Sequence, residues 1–351
     1  MNWESLDWEV LDRLRESFLS GAAADGPYWH TVTDLECYNF TYGQRIGWKW
    51  DAVLDELKLR QWRPPAGVAA EGGVPGRTIL DWGCGSGVAS RSVVDFFGAE
   101  NFSRLFVHDH SALAMDFAEH HARQRFPALD VCRATPRLLA GEEPIDVLVL
   151  SHVLNELHDI DLTALGQLMN RAASILWVEP GNHEVSRVLG HWRKKLVGAF
   201  RVVAPCTHQA ACGVLAAGNE QHWCHFFAAT PTGIHADSGW AKFARRAGID
   251  LRSLPYSFLA LDRAVPALRP AGRISGADDE DVGWSRIIGE PRLYKGYAKI
   301  FNCDAGGVTE LTLQKRTDPA LFKELKRARG PLVYRWTRAG GVITAVERTA
   351  V

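Results

Sequence analysis

The chain has 351 residues, of which 46% are hydrophobic and 23% are charged, and its formal net charge is −1. This composition is typical of a globular protein with one large domain or two modest ones. A net charge near zero excludes a global attraction to nucleic acid, so any contact with RNA must come from a local patch. No apolar run approaches the ~20 residues that span a bilayer, so we expect no membrane association.

The first residues of the chain are acidic. Glu4, Asp7, Glu9 and Asp12 all precede the first basic residue, Arg13. Secretory signals begin with a basic segment, and organellar presequences are rich in arginine and poor in acids. The sequence therefore predicts a cytoplasmic protein.

Helical periodicity dominates the first 62 residues. Apolar residues recur at helical spacing over Trp3–Phe18 and again over Trp48–Leu59. Between them, Tyr28–Gly47 is aromatic and polar and has no clear period. Residues 63–77 are rich in proline and glycine, which indicates a boundary. We expect an N-terminal helical region over residues 1–70.

From Arg77 onward, short apolar strands alternate with helices. The strands are predicted at Thr78–Trp82, Leu105–His108, Leu129–Arg133, Ile145–Leu150 and Ile175–Val178. The helices are predicted at Val88–Phe97, Ala112–Phe126 and Leu162–Ala173. Such alternation indicates an α/β fold, in which helices cover both faces of a parallel sheet. We assign this Rossmann-like core to residues 71–200.

The last third of the chain is less regular. Residues 201–239 form an irregular insertion with three cysteines, before a helix at Trp240–Ala247 and a strand at Leu251–Leu261. Residues 270–285 are predicted to form a polar loop, and Asp304–Gly307 has the composition of a hairpin turn. We therefore expect residues 240–351 to complete the core and to end in a closing hairpin and a basic tail.

A glycine-rich loop, Asp81–Gly87, follows the first predicted strand and opens a helix. Its glycines permit a tight turn and a close backbone approach to a ligand, and a helix N-terminus favours anionic groups. A dinucleotide fingerprint would need a small residue where Val88 stands. The observed spacing instead favours S-adenosylmethionine (SAM), with Asp81 near the methionine part and Asp109 on the ribose hydroxyls. The predicted cofactor-binding residues are Asp81, Gly83, Gly85, Gly87, Asp109 and Ser151.

No catalytic residue is assigned. Many amino-group methyltransferases carry an Asn/Asp-Pro-Pro-aromatic motif after the fourth strand, whereas this chain has Ser151–Glu156 there. Within that segment, His152 or Glu156 could act as a base. We favour the other interpretation, in which both cap the next helix and pack against the cofactor. Pro205-Cys206 follows the fifth strand rather than the fourth, so we do not assign Cys206 as a nucleophile.

Four of the seven cysteines form a candidate metal site. Cys206, Cys212 and Cys224 fall within nineteen residues, and Cys303 lies at the predicted hairpin, which the sheet could return to the insertion. Four thiolates suit either a tetrahedral zinc ion or a four-iron cluster, and their spacing leaves free thiols possible as well. The other three cysteines, Cys37, Cys84 and Cys132, are isolated and are expected to be small buried hydrophobes.

The chain contains several distinctive motifs, namely the glycine loop, Ser151–Leu157, Glu179-Pro180-Gly181, Ala204-Pro205-Cys206 and Trp223-Cys224-His225-Phe226. Together they resemble the Rsm22 family of methyltransferase-like proteins of the small ribosomal subunit. The resemblance runs from about residue 30 to 315, and it implies a class I SAM-methyltransferase fold and a ribosomal partner. It also implies a four-iron, four-sulfur cluster rather than zinc, on Cys206, Cys212, Cys224 and Cys303.

Two positions depart from the family pattern. Gly213 stands where members often have proline, and Phe227-Ala228-Ala229 stands where a Gln-Arg pair is common, so one RNA contact is not expected here. The first functional hypothesis is a SAM-binding protein of ribosome assembly and translation whose basic tail touches rRNA. That tail includes Lys315, Arg316, Lys323, Lys326, Arg327 and Arg329. The alternative is an active methyltransferase on a small molecule or protein, with a structural zinc site.

Overall fold

The structure is a computed structural model of the chain. It describes residues 1–20, 28–65, 76–141, 143, 145–263, 283–326 and 330–348. The chain forms two compact units, each built from separate stretches. The first comprises Met1–Leu54, Arg63–Val178 and Thr230–Leu254, and the second comprises Asp55–Trp62, Glu179–Ala229 and Pro255–Val351. The sequence-derived boundaries at residues 70, 200 and 239 remain a prediction.

The first unit begins with helices, as predicted. They are α1 (Trp8–Ser20), α2 (Val32–Tyr38) and α3 (Gln44–Leu59), and α3 continues into the second unit. Thr31 and Asp34 form a capping box that starts α2 by satisfying backbone N–H groups of its first turn. Leu14 and Leu35 are fully buried and pack with Trp29, Ala114 and Phe117 in one apolar cluster.

A parallel sheet forms the centre of the first unit. Its strands are β1 (Arg77–Trp82), β2 (Phe102–His108), β3 (Asp130–Arg133), β4 (Ile145–Ser151) and β5 (Ala172–Pro180), in the order β3-β2-β1-β4-β5. The connecting helices are α4 (Val88–Phe97), α5 (Ala112–Arg125), α6 (Pro136–Ala140) and α7 (Asp159–Met169). The last two residues of β5 belong to the second unit, and α9 (Ser238–Ala247) belongs to the first.

The strand order confirms the predicted α/β fold of the class I SAM-methyltransferase type. The chain steps outward from β1 through β2 to β3 and then returns to β4 on the other side of β1. Such a reversal leaves a crevice beyond the carboxyl ends of β1 and β4, where ligands of open α/β sheets bind. The predicted helix Leu162–Ala173 is wrong at its end, because Ala172 already pairs with Ile145 as the start of β5.

The second unit contains α8 (His183–Leu196), β6 (Phe200–Ala204), β7 (Phe226–Phe227) and β8 (Pro255–Arg263). Both β6 and β7 pair antiparallel with β8. Residues 201–204 were expected to be irregular, but they form most of β6 because Val202 and Ala204 pair with the buried strand β8. Between β6 and β7 the chain is irregular apart from a short 3-10 turn at Gly213–Leu215.

The end of the chain forms a closed barrel of five strands, β9, β11, β12, β13 and β14. The elements are β9 (Trp284–Ile287), the short β10 (Arg292–Leu293), β11 (Tyr297–Asp304), β12 (Gly307–Gln314), α10 (Pro319–Glu324), β13 (Val333–Ala339) and β14 (Val342–Arg348). The barrel order is β9-β11-β12-β14-β13, and β9 closes it by pairing with both β11 and β13. Only the β12–β14 pair is parallel among these described strands.

The barrel confirms one prediction and extends another. The predicted hairpin is present, with Asp304 opposite Gly307 at its turn. The predicted basic tail is not an appendage, because α10 and β13 supply Leu321, Phe322 and Tyr334 to the core of the barrel. Arg327 and Arg329, and most of the predicted 270–285 loop, lie outside the described residues.

Candidate functional site

The glycine loop turns sharply at the carboxyl end of β1. The Gly83 and Cys84 N–H groups donate to the His108 carbonyl at 2.8 and 2.9 Å, which fixes the loop on the end of β2. Gly85 has a φ of +49°, and a Cβ there would meet nothing within 4 Å. Gly87 has a φ of +72°, but a Cβ there would lie 2.8 Å from Ala118 Cβ on α5. Gly85 therefore leaves space for a ligand, whereas Gly87 allows α4 and α5 to approach each other closely.

Asp81 lies beneath the loop. Its carboxylate is fully buried and accepts from the Ser90 N–H at 3.3 Å and the Ser90 hydroxyl at 2.5 Å, at the start of α4. Burial raises the pKa of Asp81 to about 6, although the hydrogen bonds from Ser90 oppose that shift. The structure therefore places this acid against the helix terminus.

Asp109 follows β2 and faces the loop. One carboxylate oxygen accepts from Gly85 N–H and the other from Ser111 N–H, both at 2.9 Å. Burial raises the pKa of Asp109, and these backbone bonds oppose the rise. The carboxylate is thus held in one orientation beside the open space at Gly85.

A cleft in the first unit lies over the loop. It is lined by the loop itself, by residues at the end of β2, by Ser151–Val153 at the end of β4, and by aromatic side chains of the N-terminal region. Of the six predicted cofactor-binding residues, four line the cleft, namely Gly83, Gly85, Asp109 and Ser151. The cleft also contains Ser86, whose buried hydroxyl has no hydrogen-bond partner within the described residues. A bound ligand could satisfy that hydroxyl.

The residues after β4 are positioned by α3. Trp50 Nε1 donates to the Ser151 hydroxyl at 3.0 Å, and Lys49 Nζ lies 3.3 Å from His152 Nε2. His152 has a φ of +59°, a left-handed conformation that costs a non-glycine residue about 1–2 kcal/mol. Burial and the neighbouring Lys49 charge lower the pKa of His152 well below its usual value. The imidazole is therefore neutral at pH 7.

Aromatic residues of the N-terminal region form the opposite wall. Tyr28, Trp29 and Tyr38 line the cleft, and the Tyr28 hydroxyl donates to both Glu156 oxygens at 3.1 and 3.2 Å. Burial raises the pKa of Tyr28 well above its usual value, and the Glu156 charge adds to the rise. The sequence predicted neither this wall nor its bond to Glu156. The favoured capping role of His152 and Glu156 was wrong, because His158 stands at the N-cap of α7.

The four candidate cysteines all belong to the second unit. Cys206 follows β6, Cys212 and Cys224 lie in the irregular segment, and Cys303 lies on β11. Arg193 Nε donates to Cys206 Sγ at 3.2 Å, and His208 Nε2 lies 3.7 Å from Cys303 Sγ.

These thiols also influence one another. Burial raises the pKa of Cys224 well above its usual value, and the charges of Cys206, Cys303 and Cys212 raise it further. The pKa of Cys303 is likewise raised by burial and then by Cys206 and Cys212. The four thiols therefore lie in one region of the second unit.

Two buried arginines hold the backbone beside Cys206. Arg60 donates to the carbonyl oxygens of Val203, Pro205 and Cys206 at 2.9, 2.9 and 3.2 Å. Arg60 and Arg286 both bind the Glu56 carboxylate, which is almost completely buried. Their charges hold the pKa of Glu56 below its usual value, although burial opposes that shift. This ion triad fixes the loop that presents Cys206.

The described residues contain no preformed metal centre. Among the described residues, no group of three or more His, Cys, Asp or Glu side chains is arranged to hold a metal ion. All seven cysteines are free thiols. The assignment of Cys206, Cys212, Cys224 and Cys303 as metal ligands therefore remains a prediction.

A comparison with family models identifies the chain. The model described as "Mitochondrial small ribosomal subunit Rsm22" matches residues 68–332, about three quarters of the sequence. The chain belongs to the Rsm22 family. A search of curated proteins finds no match.

Solved structures are similar at low identity. The plantazolicin methyltransferase BamL is 11% identical with a TM-score of 0.39, over 74% of this chain and 100% of that one. The magnesium protoporphyrin IX methyltransferase of Synechocystis PCC 6803 is 14% identical with a TM-score of 0.36, over 72% and 100%. In the described part of this Rsm22 protein, no helix is both long and apolar enough to cross a membrane.

Proposed function

We propose that this Rsm22 protein is a SAM-binding, methyltransferase-like factor of the small ribosomal subunit. The observation that carries the SAM assignment is the geometry at Gly85, where the backbone is open to the cleft and its N–H orients Asp109. The unpartnered Ser86 hydroxyl on the same loop supports a ligand there. Asp109 would bind the ribose hydroxyls, and Ser151 and Gly83 would line the opposite side of the cofactor.

Methyl transfer itself would need an acceptor close to the cleft. SAM, when bound, supplies an electrophilic methyl group to a nucleophilic atom. In this chain, Glu156 is a carboxylate held by Tyr28, and His152 is a neutral imidazole beside Lys49. Glu156 could accept a proton from an acceptor group in the cleft, whereas burial and the Lys49 charge oppose protonation of His152. We assign neither as catalytic, because the acceptor is not identified.

Calorimetry with SAM tests the cofactor site. The variant Gly85→Asp places a side chain in the space that the glycine leaves open, so SAM should bind at least ~10-fold more weakly. Gly218→Asp is the matched control, because Gly218 also has a positive φ and open surroundings but lies in the second unit. Wild-type protein that does not bind SAM, or equal binding by the Gly85 variant, would refute the assignment.

We further propose that Cys206, Cys212, Cys224 and Cys303 hold a four-iron, four-sulfur cluster. The chemistry of the donors supports this, because four thiols lie in one region where thiolates, once formed, would repel one another. A cationic metal centre relieves that repulsion. The Arg60–Glu56–Arg286 triad would hold the Cys206 loop in place for the cluster. Zinc on the same cysteines is the alternative.

The family description suggests a partner and a compartment. The family description names the small ribosomal subunit of mitochondria, so we propose that this protein works on a small subunit and contacts its rRNA. The cytoplasmic location expected from the first residues remains a prediction, and the family description points to mitochondria instead. Immunofluorescence of the tagged protein in its source cells would distinguish the two.

A further inference from the structure

The C-terminal barrel has a recognisable topology. Numbered within the barrel, strands β9, β11, β12, β13 and β14 are strands 1 to 5, and their closed order is 1-2-3-5-4. Strands 3 and 5 are parallel, and the helix α10 lies between strands 3 and 4. These are the features of an oligonucleotide/oligosaccharide-binding (OB) barrel. In such barrels the face of strands 2 and 3, with the adjoining loops, is the usual ligand surface.

The corresponding face in this protein has two parts. On β11, Ala298, Ile300 and Asn302 point into the barrel and are buried, so the alternate residues face outward. At one end of this outer face, Phe301 packs against the His222 ring at 4.2 Å, and Cys303 lies near His208. The irregular segment of the same unit therefore covers that end, and the Tyr297 end is left exposed.

The exposed end presents two stacked aromatic rings. Tyr294, in the loop between strands 1 and 2, stacks on Tyr297 with the ring centroids 4.6 Å apart and the planes at 12°. The Tyr294 N–H donates to the Tyr297 carbonyl at 2.8 Å, which fixes the pair in this geometry. The two side chains are 43% and 37% exposed, and they are among the most exposed large hydrophobic residues of the described chain. Exposed rings held in this way suit the stacking of bases.

Basic residues surround this aromatic pair. Arg292, Lys295 and Lys299 lie on the same loop and strand, and Lys315 and Arg316 follow β12. The Lys315 N–H donates to the Gly296 carbonyl at 2.9 Å, which brings the end of β12 beside the loop. Two acids, Glu290 and Glu310, oppose these five cations, and Glu310 already pairs with Arg292 and Lys299. A local positive surface therefore exists on a protein whose net charge is −1.

We propose that this surface, formed by Tyr294, Tyr297, Lys295, Lys299, Lys315 and Arg316, binds single-stranded RNA. The two tyrosines would stack on bases while the cations follow the phosphates, a combination that recognises an unpaired strand of any sequence. A duplex hides its base faces and would contact only the cations. The RNA-binding surface is thus the OB face, and this inference deepens the proposed association with small-subunit rRNA.

Fluorescence anisotropy with a labelled 12-nucleotide polypyrimidine RNA tests the surface. We expect the wild-type protein to bind this strand at least ~10-fold more tightly than a duplex RNA of the same length. Tyr294→Ala/Tyr297→Ala should weaken binding by at least ~10-fold, because base stacking on aromatic rings supplies that much affinity. Tyr294→Phe/Tyr297→Phe keeps the rings and should stay within about threefold of wild type. We expect a polypyrimidine DNA of equal length to bind no more tightly than the RNA.

The salt dependence of RNA binding tests the contribution of the basic residues. Lys299→Gln/Lys315→Gln should reduce the slope of log affinity against log salt by about 1.4, since each phosphate contact contributes ~0.7 on a single strand. Lys58→Gln, an exposed lysine on α3, is the control and should leave the slope unchanged. An unaltered slope in the double variant, or equal loss from Lys58→Gln, overturns the assignment of these cations.

Co-sedimentation with small ribosomal subunits separates this inference from the proposed function. If the wild-type protein sediments with small subunits but fails to bind the RNA strand, or binds it equally well without both rings, the OB-face inference is wrong and the proposed partner stands. If it binds the strand through the tyrosines but does not sediment with small subunits, the proposed partner is wrong and the surface stands. Tighter binding to DNA or to duplex RNA overturns the single-stranded RNA assignment.

Discussion

Arg286 Nη2 donates to Glu56 Oε2 at 2.8 Å across 230 residues of chain. Glu56 is 1% exposed and Arg286 is 4% exposed, and the Arg286 guanidinium also lies 3.9 Å from the centre of the Phe226 ring. Arg60 binds the same carboxylate and three carbonyl oxygens beside Cys206. The second unit therefore depends on a buried charge triad that joins its separate stretches.

Breaking this triad should be costly. Arg286→Met leaves Glu56 buried with only one cationic partner, and the loss of one member of a buried ion pair typically costs 3–5 kcal/mol. We expect a decrease of about that size in the free energy of unfolding, measured with urea. Arg246→Met is the control, because Arg246 pairs with Asp12 on the surface and such pairs contribute about 0–1 kcal/mol. Equal effects of the two changes would contradict the structural role of the triad.

Asp81 should make stability depend on pH. The folded protein binds the Asp81 proton more tightly than the unfolded chain, because the pKa rises from 3.8 to about 6. Stability from this group therefore falls as the pH rises from about 4 to about 6, and Asp81→Asn removes that dependence. The variant should gain about 2.5 kcal/mol relative to wild type between pH 4 and pH 7.5. Urea unfolding at both pH values measures this gain, and an equal pH dependence of wild type and Asp81→Asn would contradict the burial of this carboxylate.

The two glycines of the loop should respond differently to alanine. Gly87→Ala brings a methyl group to 2.8 Å from Ala118 at a positive φ, so overpacking adds to backbone strain. We expect it to destabilise the protein by about 2–5 kcal/mol. Gly85→Ala meets no neighbour, and only the ~1–2 kcal/mol of backbone strain applies. Thermal unfolding compares them, and a larger loss at Gly85 would mean that the loop packs differently.

Serine variants test the cluster. Cys303→Ser should abolish iron binding and the broad visible absorption of protein purified without oxygen, because one of four thiolate ligands is lost. It should also expose the irregular segment of the second unit to protease while the first unit stays folded. Cys132→Ser, on the edge strand β3, should change neither property. Wild-type protein with stoichiometric zinc and no iron would instead favour the alternative.

Local patterns made the glycine loop predictable. The strand, the glycines and the following helix are contiguous, so Asp81–Gly87 could be recognised without knowledge of the fold. Asp109 and Ser151 could also be predicted from the sequence, because strands of a parallel sheet end at the same edge. The hairpin at Asp304–Gly307 followed from its turn composition.

Contacts between distant segments were not predictable. Tyr28 donates to Glu156 from a stretch without a regular pattern of apolar residues, so no local sequence pattern indicated that Tyr28 lines the cleft. Barrel closure depends on β9, a strand of only four residues, and on a β12–β14 pairing of two residue pairs. Such short strands give little periodic signal, and the sequence therefore showed a hairpin and a basic tail where the structure has a barrel.

The second unit is built from separate stretches of the chain, so its parts are synthesised at different times. Glu56 leaves the ribosome long before Arg286, and at 5–20 residues per second the delay is roughly 10–50 s. During that interval Arg60 is the cation available to Glu56, and the triad with Arg286 cannot form. A chain that ends before β9 would lack Arg286 and could never complete it. The Glu56 carboxylate therefore cannot be buried between both arginines until most of the chain has been translated.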